Sequence, residues 1–430
     1  MKDYRVVKNA SWIIVCKVIE AVFHLSITML TTRYLGPSNY GIINYAVSLV
    51  AFALPIMQLG LRNILINEFV NAPEQKGRTL GTALCMNFLS SLLCVVGVTA
   101  FSAIANPGDT ETVLVCLLYS FCLVFQAVEV MQYWFQELLL SKYVSLSMLA
   151  AYVLMSVYQV IILLLHKNIY WFAVSEAIRH MIVAALLLIL YRKKGGEKLS
   201  VSLAACRRML SRSKHYILSN LMITIYAQVD KIMLMEMAGE TVTGYYSAAY
   251  NCTYMTNFVF LAIVDSMRPG IFRSKLTSEE TFEKKLTQLY AIVIWLSVAQ
   301  SLVFTVFAPL IIRILNGVAY LPAVGMLQIV VWFTVFTHVG LVRDMWILTE
   351  EKQKYLWRIN IFGAVFNVAL NYFLIPALGG EGAAIASLLS QFITNVAMCF
   401  VFKELRRAGI LMARGADPRV LIGFLAGLRK

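Results

Sequence analysis

Ionisable residues recur at helical spacing inside the most apolar stretches of this 430-residue chain, and they concentrate its capacity for chemistry. Lys17, Glu20, His24, Thr28 and Thr31 follow at intervals of three, four, four and three, which places them on one helix face. Lys17 can pair with Glu20 at i,i+3, and Glu20 with His24 at i,i+4. In one reading they line a cavity, where Lys17 meets an anionic substrate group and Glu20 or His24 exchanges protons. In the other they form a self-neutralised seam between packed helices.

Asn220, Thr224, Gln228 and Lys231 make a second stripe at intervals of four, four and three. Asp230 sits about 100° away around the same helix. Lys231 is therefore either a cavity cation or a partner for Asp230 within the bundle. Gln126, Glu129, Tyr133 and Gln136 form a third stripe, and Glu129 has no cation beside it on that face. A lone carboxylate in an apolar setting is a proton-carrier candidate, because its charged form is costly there. Glu176, Arg179 and His180 are spaced for an internal salt bridge. Arg62, Asp265, Arg268, Arg343 and Asp344 lie near run ends, where long side chains snorkel to the interface. Arg62 and Arg268 also suit phosphate at a cavity mouth, through the forked guanidinium.

These residues matter because of where they sit. Hydrophobic residues make up 60% of the chain and charged residues 14%, where a soluble domain carries about 25% charged residues. Twelve apolar runs fill the sequence: 10–32, 43–66, 82–105, 112–135, 143–165, 169–191, 215–237, 245–267, 288–312, 322–346, 359–378 and 382–402. A bilayer core takes about 20 helical residues to cross, and only helices or closed barrels satisfy the backbone there. The runs are too long and too uniformly apolar for barrel strands. An ionisable group deep in such a helix costs about 2.5–3.5 kcal/mol, so each needs a partner or a wet cavity.

The net charge of +14 is distributed as a topology signal rather than as a nucleic-acid footprint. Lys and Arg crowd alternate loops, while the other loops hold only Arg33, Lys167 and Arg313. The positive-inside rule then places both termini in the cytoplasm. The first run contains Lys17 and Glu20 and lacks a small-x-small end, which argues against a cleaved signal peptide. The eight cysteines show no metal or redox spacing and read as small packing residues. The tryptophans near run ends, Trp134, Trp171, Trp346 and Trp357, read as interface anchors. No P-loop, dinucleotide fingerprint or HExxH occurs, so no cofactor is expected.

The chain divides into an N-terminal bundle 1–191, a basic linker 192–214, a C-terminal bundle 215–404 and a basic tail 405–430. The halves resemble each other. Leu35–Gly41 overlays Ala238–Gly244 with both glycines coinciding, and Trp134, Lys142 and Tyr143 overlay Trp346, Lys354 and Tyr355. The expected fold is an all-α polytopic membrane protein of about twelve helices, in two six-helix bundles related by a parallel pseudo-two-fold repeat. Two such halves would enclose a central cavity open to either side in turn.

The corner Arg33-Tyr34-Leu35-Gly36-Pro37-Ser38-Asn39-Tyr40-Gly41 resembles the signature of polysaccharide flippases. These are O-antigen and exopolysaccharide repeat-unit translocases of the multidrug/oligosaccharidyl-lipid/polysaccharide (MOP) exporter superfamily. Gln228-Val229-Asp230-Lys231-Ile232, with Gly239 and Gly244-Tyr245-Tyr246-Ser247-Ala248-Ala249-Tyr250, is similar to that family's second-half signature. The resemblance implies a transporter in the bacterial cytoplasmic membrane. It implies alternating access, a polyprenyl-pyrophosphate-linked oligosaccharide as substrate, a proton or sodium ion as coupling ion, and a polysaccharide polymerase as functional partner. Substrate-binding candidates are Lys17, His24, Arg62, Asn220, Gln228 and Lys231; ion-coupling candidates are Glu20, Glu129 and Asp230. Related lipid flippases hold pyrophosphate with cavity arginines, whereas the deep N-half cation here is Lys17, a point charge without a fork. A drug/cation antiporter of the same superfamily and a membrane glycosyltransferase or polymerase are the alternatives.

Overall fold

Glycine at two sharp corners lets long apolar helices reverse direction without a loop. At Gly36 the backbone takes φ 72° and ψ 173°, and at Gly239 φ 84° and ψ 174°. Side-chain-bearing residues rarely adopt such values. These are the two glycines that the half-to-half overlay brings together. The second overlaid corner behaves in the same way. Leu139 and Glu351 both carry positive φ, 56° and 55°, each just before the helix that begins at Ser141 or Lys354. The paired corners are consistent with an internal repeat.

The computed structural model describes residues 2–428, without the side chains of residues 2–22, 24, 63, 214, 215, 219, 226, 425, 427 and 428. The chain folds as two units, Met1–Gln228 and Val229–Lys430. The first contains α1 (Lys2–Met57), α2 (Arg62–Asn71), α3 (Lys76–Ala105), α4 (Thr110–Ser120), α5 (Cys122–Gln126), α6 (Gln132–Glu137), α7 (Ser141–Leu164) and α8 (Ile169–Lys193). The unit boundary falls inside α9 (Leu203–Ala238). The second unit continues with α10 (Glu240–Tyr254), α11 (Asn257–Thr277), α12 (Glu279–Leu315), α13 (Ala323–Val330), α14 (Phe333–Thr349) and α15 (Lys354–Phe392). It ends with α16 (Met398–Val401), α17 (Arg406–Gly415) and α18 (Pro418–Leu428).

The protein is an all-α, multi-pass membrane protein. Among the described residues, eight helical segments are long and apolar enough to cross a membrane, and a ninth if the two pieces of α9 form one bent span. Two continuous helices, α1 and α15, each hold two of the twelve apolar runs, joined at Gly36 and Gly379. A twelve-span count is consistent with this arrangement. Outward faces carry bare aliphatics such as Leu93, Val96, Ile104 and Leu164. Water would not tolerate such a surface, but hydrocarbon does.

Each unit has its own core. In the first, Leu61, Leu65, Phe69, Trp134, Phe135 and Tyr191 pack together; in the second, Phe282, Leu286, Tyr290, Trp346 and Ile359 do. Trp134 and Trp346 are thus core residues, 3% and 2% exposed, and not interface anchors. Each precedes the positive-φ corner residue, Leu139 or Glu351, by five residues. Trp171 and Trp357 remain half exposed, as anchors require. Cys94, Cys116, Cys122, Cys252 and Cys399 are buried packing residues. The C-terminal α17 is likewise part of the second core, through Ala408, Leu411 and Met412.

The basic linker does not hang free. Glu197 Oε2 accepts from Gly77 N at 2.6 Å, and Ser202 N donates to Thr82 Oγ1 at 3.1 Å. A Cβ on Gly81 would lie 2.5 Å from the Ser200 carbonyl oxygen, so glycine there permits the close approach. Arg208 and Arg212 both reach Glu68 at 2.9 Å.

Candidate functional site

The first unit gathers four ionisable side chains where its fourth apolar run loses regular helix. Residues Ala127–Met131 form a 3-10 turn between α5 and α6, which points Glu129 at α8. Glu129 Oε1 lies 2.5 Å from His180 Nδ1. On the far side of the ring, Arg179 Nη2 lies 2.8 Å from His180 Nε2. Arg179 also donates to Glu176 Oε2 through Nε at 2.8 Å and Nη2 at 2.6 Å. Glu176 Oε2 is itself 3.7 Å from His180 Nε2. Glu129 is therefore not the lone acid its own helix face suggests. Its partner lies on α8, 51 residues along the chain. The internal bridge expected among Glu176, Arg179 and His180 forms, with Glu129 as a fourth member.

The second unit treats its carboxylate differently. Asp230 is 5% exposed and accepts hydrogen bonds only from neutral donors among the described residues. Asn371 Nδ2 reaches Oδ1 at 2.6 Å, Tyr246 Oη reaches Oδ2 at 2.8 Å, and Ser387 Oγ also donates to Oδ2. Tyr246 and Ser387 are 2.9 Å from each other, and Asn371 Nδ2 is 3.2 Å from Asn367 Oδ1. The donors come from α10 and α15, so the acid ties three helices together. Asn371 Oδ1 is buried without a hydrogen-bond partner. Lys231, also 5% exposed, turns away from this network and lies 4.9 Å over the Tyr250 ring.

The other candidates are placed individually. Arg62 opens α2 and is exposed. Asn220 is exposed on α9, with its carbonyl accepting from Thr224 Oγ1 at 3.0 Å. Gln228 Oε1 accepts from Ser48 Oγ at 3.2 Å. Lys17, Glu20 and His24 have side chains outside the described residues.

Snorkelling accounts for Asp265 and Arg268, which pair at 3.0 Å with both side chains largely exposed. It fails for Arg343, which is 3% exposed. The Arg343 Nη1 donates to the Thr394 carbonyl at 2.7 Å, inside the π turn Ile393–Ala397. That turn frees a carbonyl, and the arginine satisfies it. Sequence reading placed His180 with Glu176 and Arg179 but not with Glu129, and it passed over Tyr246 and Ser387 as partners of Asp230. No spacing along the chain points from Glu129 to His180, 51 residues away. No group of three or more metal-ligating side chains occurs among the described residues.

The fold that holds these two buried polar clusters is shared with solved membrane proteins. The lipid II flippase MurJ, in an inward closed conformation, aligns with a TM-score of 0.75 at 10% identity, over 96% of this chain and 92% of that one. A multidrug resistance MATE family transporter of the MOP superfamily, in an inward-facing conformation, aligns with a TM-score of 0.68 at 14% identity, over 93% and 96%. The capsular polysaccharide biosynthesis protein CapF of Staphylococcus aureus is 19% identical over 412 residues, 93% of this chain and 100% of CapF. Residues 6–275 match the model of the polysaccharide biosynthesis protein family, and the chain belongs to that family.

Proposed function

We propose that this protein is a flippase that carries polyprenyl-pyrophosphate-linked oligosaccharide repeat units from the cytoplasmic to the outer leaflet, for cell-surface polysaccharide assembly. The observation that carries this reading is the conjunction of a polysaccharide biosynthesis family with a fold shared by a lipid II flippase. A sugar headgroup with two phosphates cannot cross hydrocarbon unaided. A protein with polar groups buried among its membrane helices can lower that barrier while the lipid tail stays in the bilayer.

The mechanism is alternating access by the two six-helix halves, coupled to a proton or sodium gradient, in the bacterial cytoplasmic membrane with both termini inside. Arg62, Asn220 and Gln228 contact the headgroup, joined by Lys17 and His24. Glu129 and Asp230, with Glu20, are the coupling acids. Lys231, enclosed under Tyr250, serves as the counter-charge of Asp230 more readily than as an open phosphate ligand. The reaction is transport without bond making or breaking, so no catalytic residue or cofactor is assigned.

Deleting the gene tests the proposal. The expected result is loss of surface polysaccharide, with its lipid-linked repeat unit accumulating on the inner leaflet, and restoration of both by the intact gene. Normal surface polysaccharide in the deletion strain would overturn it. If resistance to cationic dyes were lost instead, the protein would be a drug antiporter.

A further inference from the structure

The basic linker of the first unit leads into a helix that is apolar on two sides. At the start of α9, Leu203, Arg207 and Leu210 stand at i, i+4 and i+7, on one helix face. Ala205 and Met209 lie on the opposite face, inside the first core. Arg208 and Arg212 flank them and hold Glu68. The outer face is open: Leu203 is 67% exposed and Leu210 45%, with Arg207 exposed between them. In the extended stretch just before α9, Val201 is 64% exposed and Lys198 is exposed too. A second apolar face on a helix that has already buried its first calls for an occupant.

Contacts with α3 set the depth of this surface. Glu197 accepts from Gly77 N, and a Cβ on Gly77 would lie 2.6 Å from the Lys198 carbonyl oxygen, so Lys198 lies against the first turn of α3. Ser202 N reaches Thr82 Oγ1. From Gly77 to Thr82 the helix rises about 7.5 Å. Arg78 is the last charge on α3, and the apolar run begins at Thr82. The border between headgroups and hydrocarbon therefore falls just past Arg78. The headgroup layer of one leaflet is about 5–8 Å deep. Lys198 thus stands at headgroup depth, while Val201 and Leu203, on either side of Ser202, stand where acyl chains begin. The preceding span ends at Lys193, so the linker also leaves α8 at the membrane surface.

We propose that this face is a docking site for acidic phospholipid of the cytoplasmic leaflet. Lys198 and Arg207 take the headgroup phosphate, and Val201, Leu203 and Leu210 rest among the upper acyl carbons. Charge and depth together select this occupant. Basic loops lie on the cytoplasmic side, where the leaflet is anionic. An acidic protein would match the two cations, but not aliphatics held level with the start of an apolar run. The lipid in question surrounds the protein and is distinct from the one it carries under the flippase reading. Its binding ties the start of α9 to the leaflet.

Photo-crosslinking reads the occupant directly. The full-length protein carries p-benzoylphenylalanine in place of Val201 or, in a second variant, Leu203. It is placed in nanodiscs of phosphatidylethanolamine with phosphatidylglycerol as the minority lipid. The same group in place of Leu93, which is 74% exposed on an outward face of α3, gives the reference. After irradiation, intact mass is expected to show phospholipid adducts at the linker. Phosphatidylglycerol should be enriched there about fivefold over its share at position 93, the discrimination one surface cation provides. Lys198→Glu combined with Arg207→Glu should return the ratio to the reference while lipid adducts persist. Both side chains are exposed, so the thermal midpoint should hold. A linker that takes no lipid while position 93 does, or that crosslinks to protein instead, overturns the proposal. So does a linker adduct with the reference composition, or an enrichment that survives the double reversal, because the aliphatics would then touch the bilayer without recognition of its charge.

Discussion

The two units solve the same problem, a carboxylate buried among membrane helices, in opposite ways. In the first, Glu129 shares a chain of full or latent charges with His180, Arg179 and Glu176. In the second, Asp230 is held by an amide, a phenol and a hydroxyl, and the adjacent Lys231 is parked on an aromatic ring. A charge network rearranges when one proton arrives, because every member repels or attracts the newcomer. A carboxylate wrapped in neutral dipoles keeps its geometry and instead clamps the helices that supply the donors. Of the two acids proposed for coupling, Glu129 thus has ionisable partners and Asp230 neutral ones.

Truncating Asp230 should therefore have the largest effect on stability. Asp230→Ala strips an acceptor from three donors on two helices. Unpaired buried donors cost about 1–3 kcal/mol each, but Tyr246 and Ser387 can fall back on each other and Asn371 on Asn367. The expected net loss is about 2–4 kcal/mol, read as a drop in the thermal midpoint of the detergent-purified protein. Asp230→Asn keeps the shape and should recover most of it. An alanine variant as stable as the wild type would remove the clamp from the second unit.

Lys231 gives the next largest effect and a sharper one. Lys231→Met removes the ammonium over Tyr250 and leaves Asp230 without a nearby cation. A loss of about 1–2 kcal/mol is expected. The double variant Asp230→Asn with Lys231→Met should be more stable than the sum of the single changes by about 0.5–3 kcal/mol. Strict additivity would mean that the two residues do not sense each other, and the counter-charge assignment would go with it.

The first unit should respond in function more than in stability. Glu129→Gln keeps an oxygen opposite His180 Nδ1, so a stability change below about 1 kcal/mol is expected. Polysaccharide export by this variant should no longer respond to collapse of the proton gradient. A variant that unfolds like Asp230→Ala, while export in surviving protein stays gradient-dependent, would erase the contrast between the units.

How much of this was legible in the sequence follows from distance along the chain. The apolar runs, the corner glycines Gly36 and Gly239, and the acids themselves are local features, and they were readable. So was the overlay that pairs Trp134 with Trp346, though their position near run ends suggested anchors where the structure makes them core. What periodicity could not supply were partners on other helices. The donors to Asp230 stand 16, 141 and 157 residues away. The histidine on Glu129 is 51 residues away. Arg343 misled for a related reason. Its place at a run end fits snorkelling, but the π turn it satisfies depends on a backbone irregularity that no residue type announces.

An exposed carboxylate provides the baseline for both buried clusters. Glu404 lies on the 3-10 turn Lys403–Leu405, beyond the last apolar span. Its own backbone N–H, and then the Tyr355 hydroxyl, bond the carboxylate and hold it below the usual carboxylate range. A value depressed in the folded state adds stability above the unfolded value and loses it as pH falls through the folded one. Tyr355→Phe keeps the buried ring and deletes one donor. Thermal midpoints should fall slightly at neutral pH, and the difference from the wild type should vanish as pH falls into the acid range. The expected shift is the smallest of the four. Solvent screens an exposed group, and the backbone donor remains in place. If Tyr355→Phe lowered the neutral-pH midpoint as far as Asp230→Ala does, an exposed carboxylate would be held as firmly as one buried among three helices, and the contrast between surface and buried acids would fail.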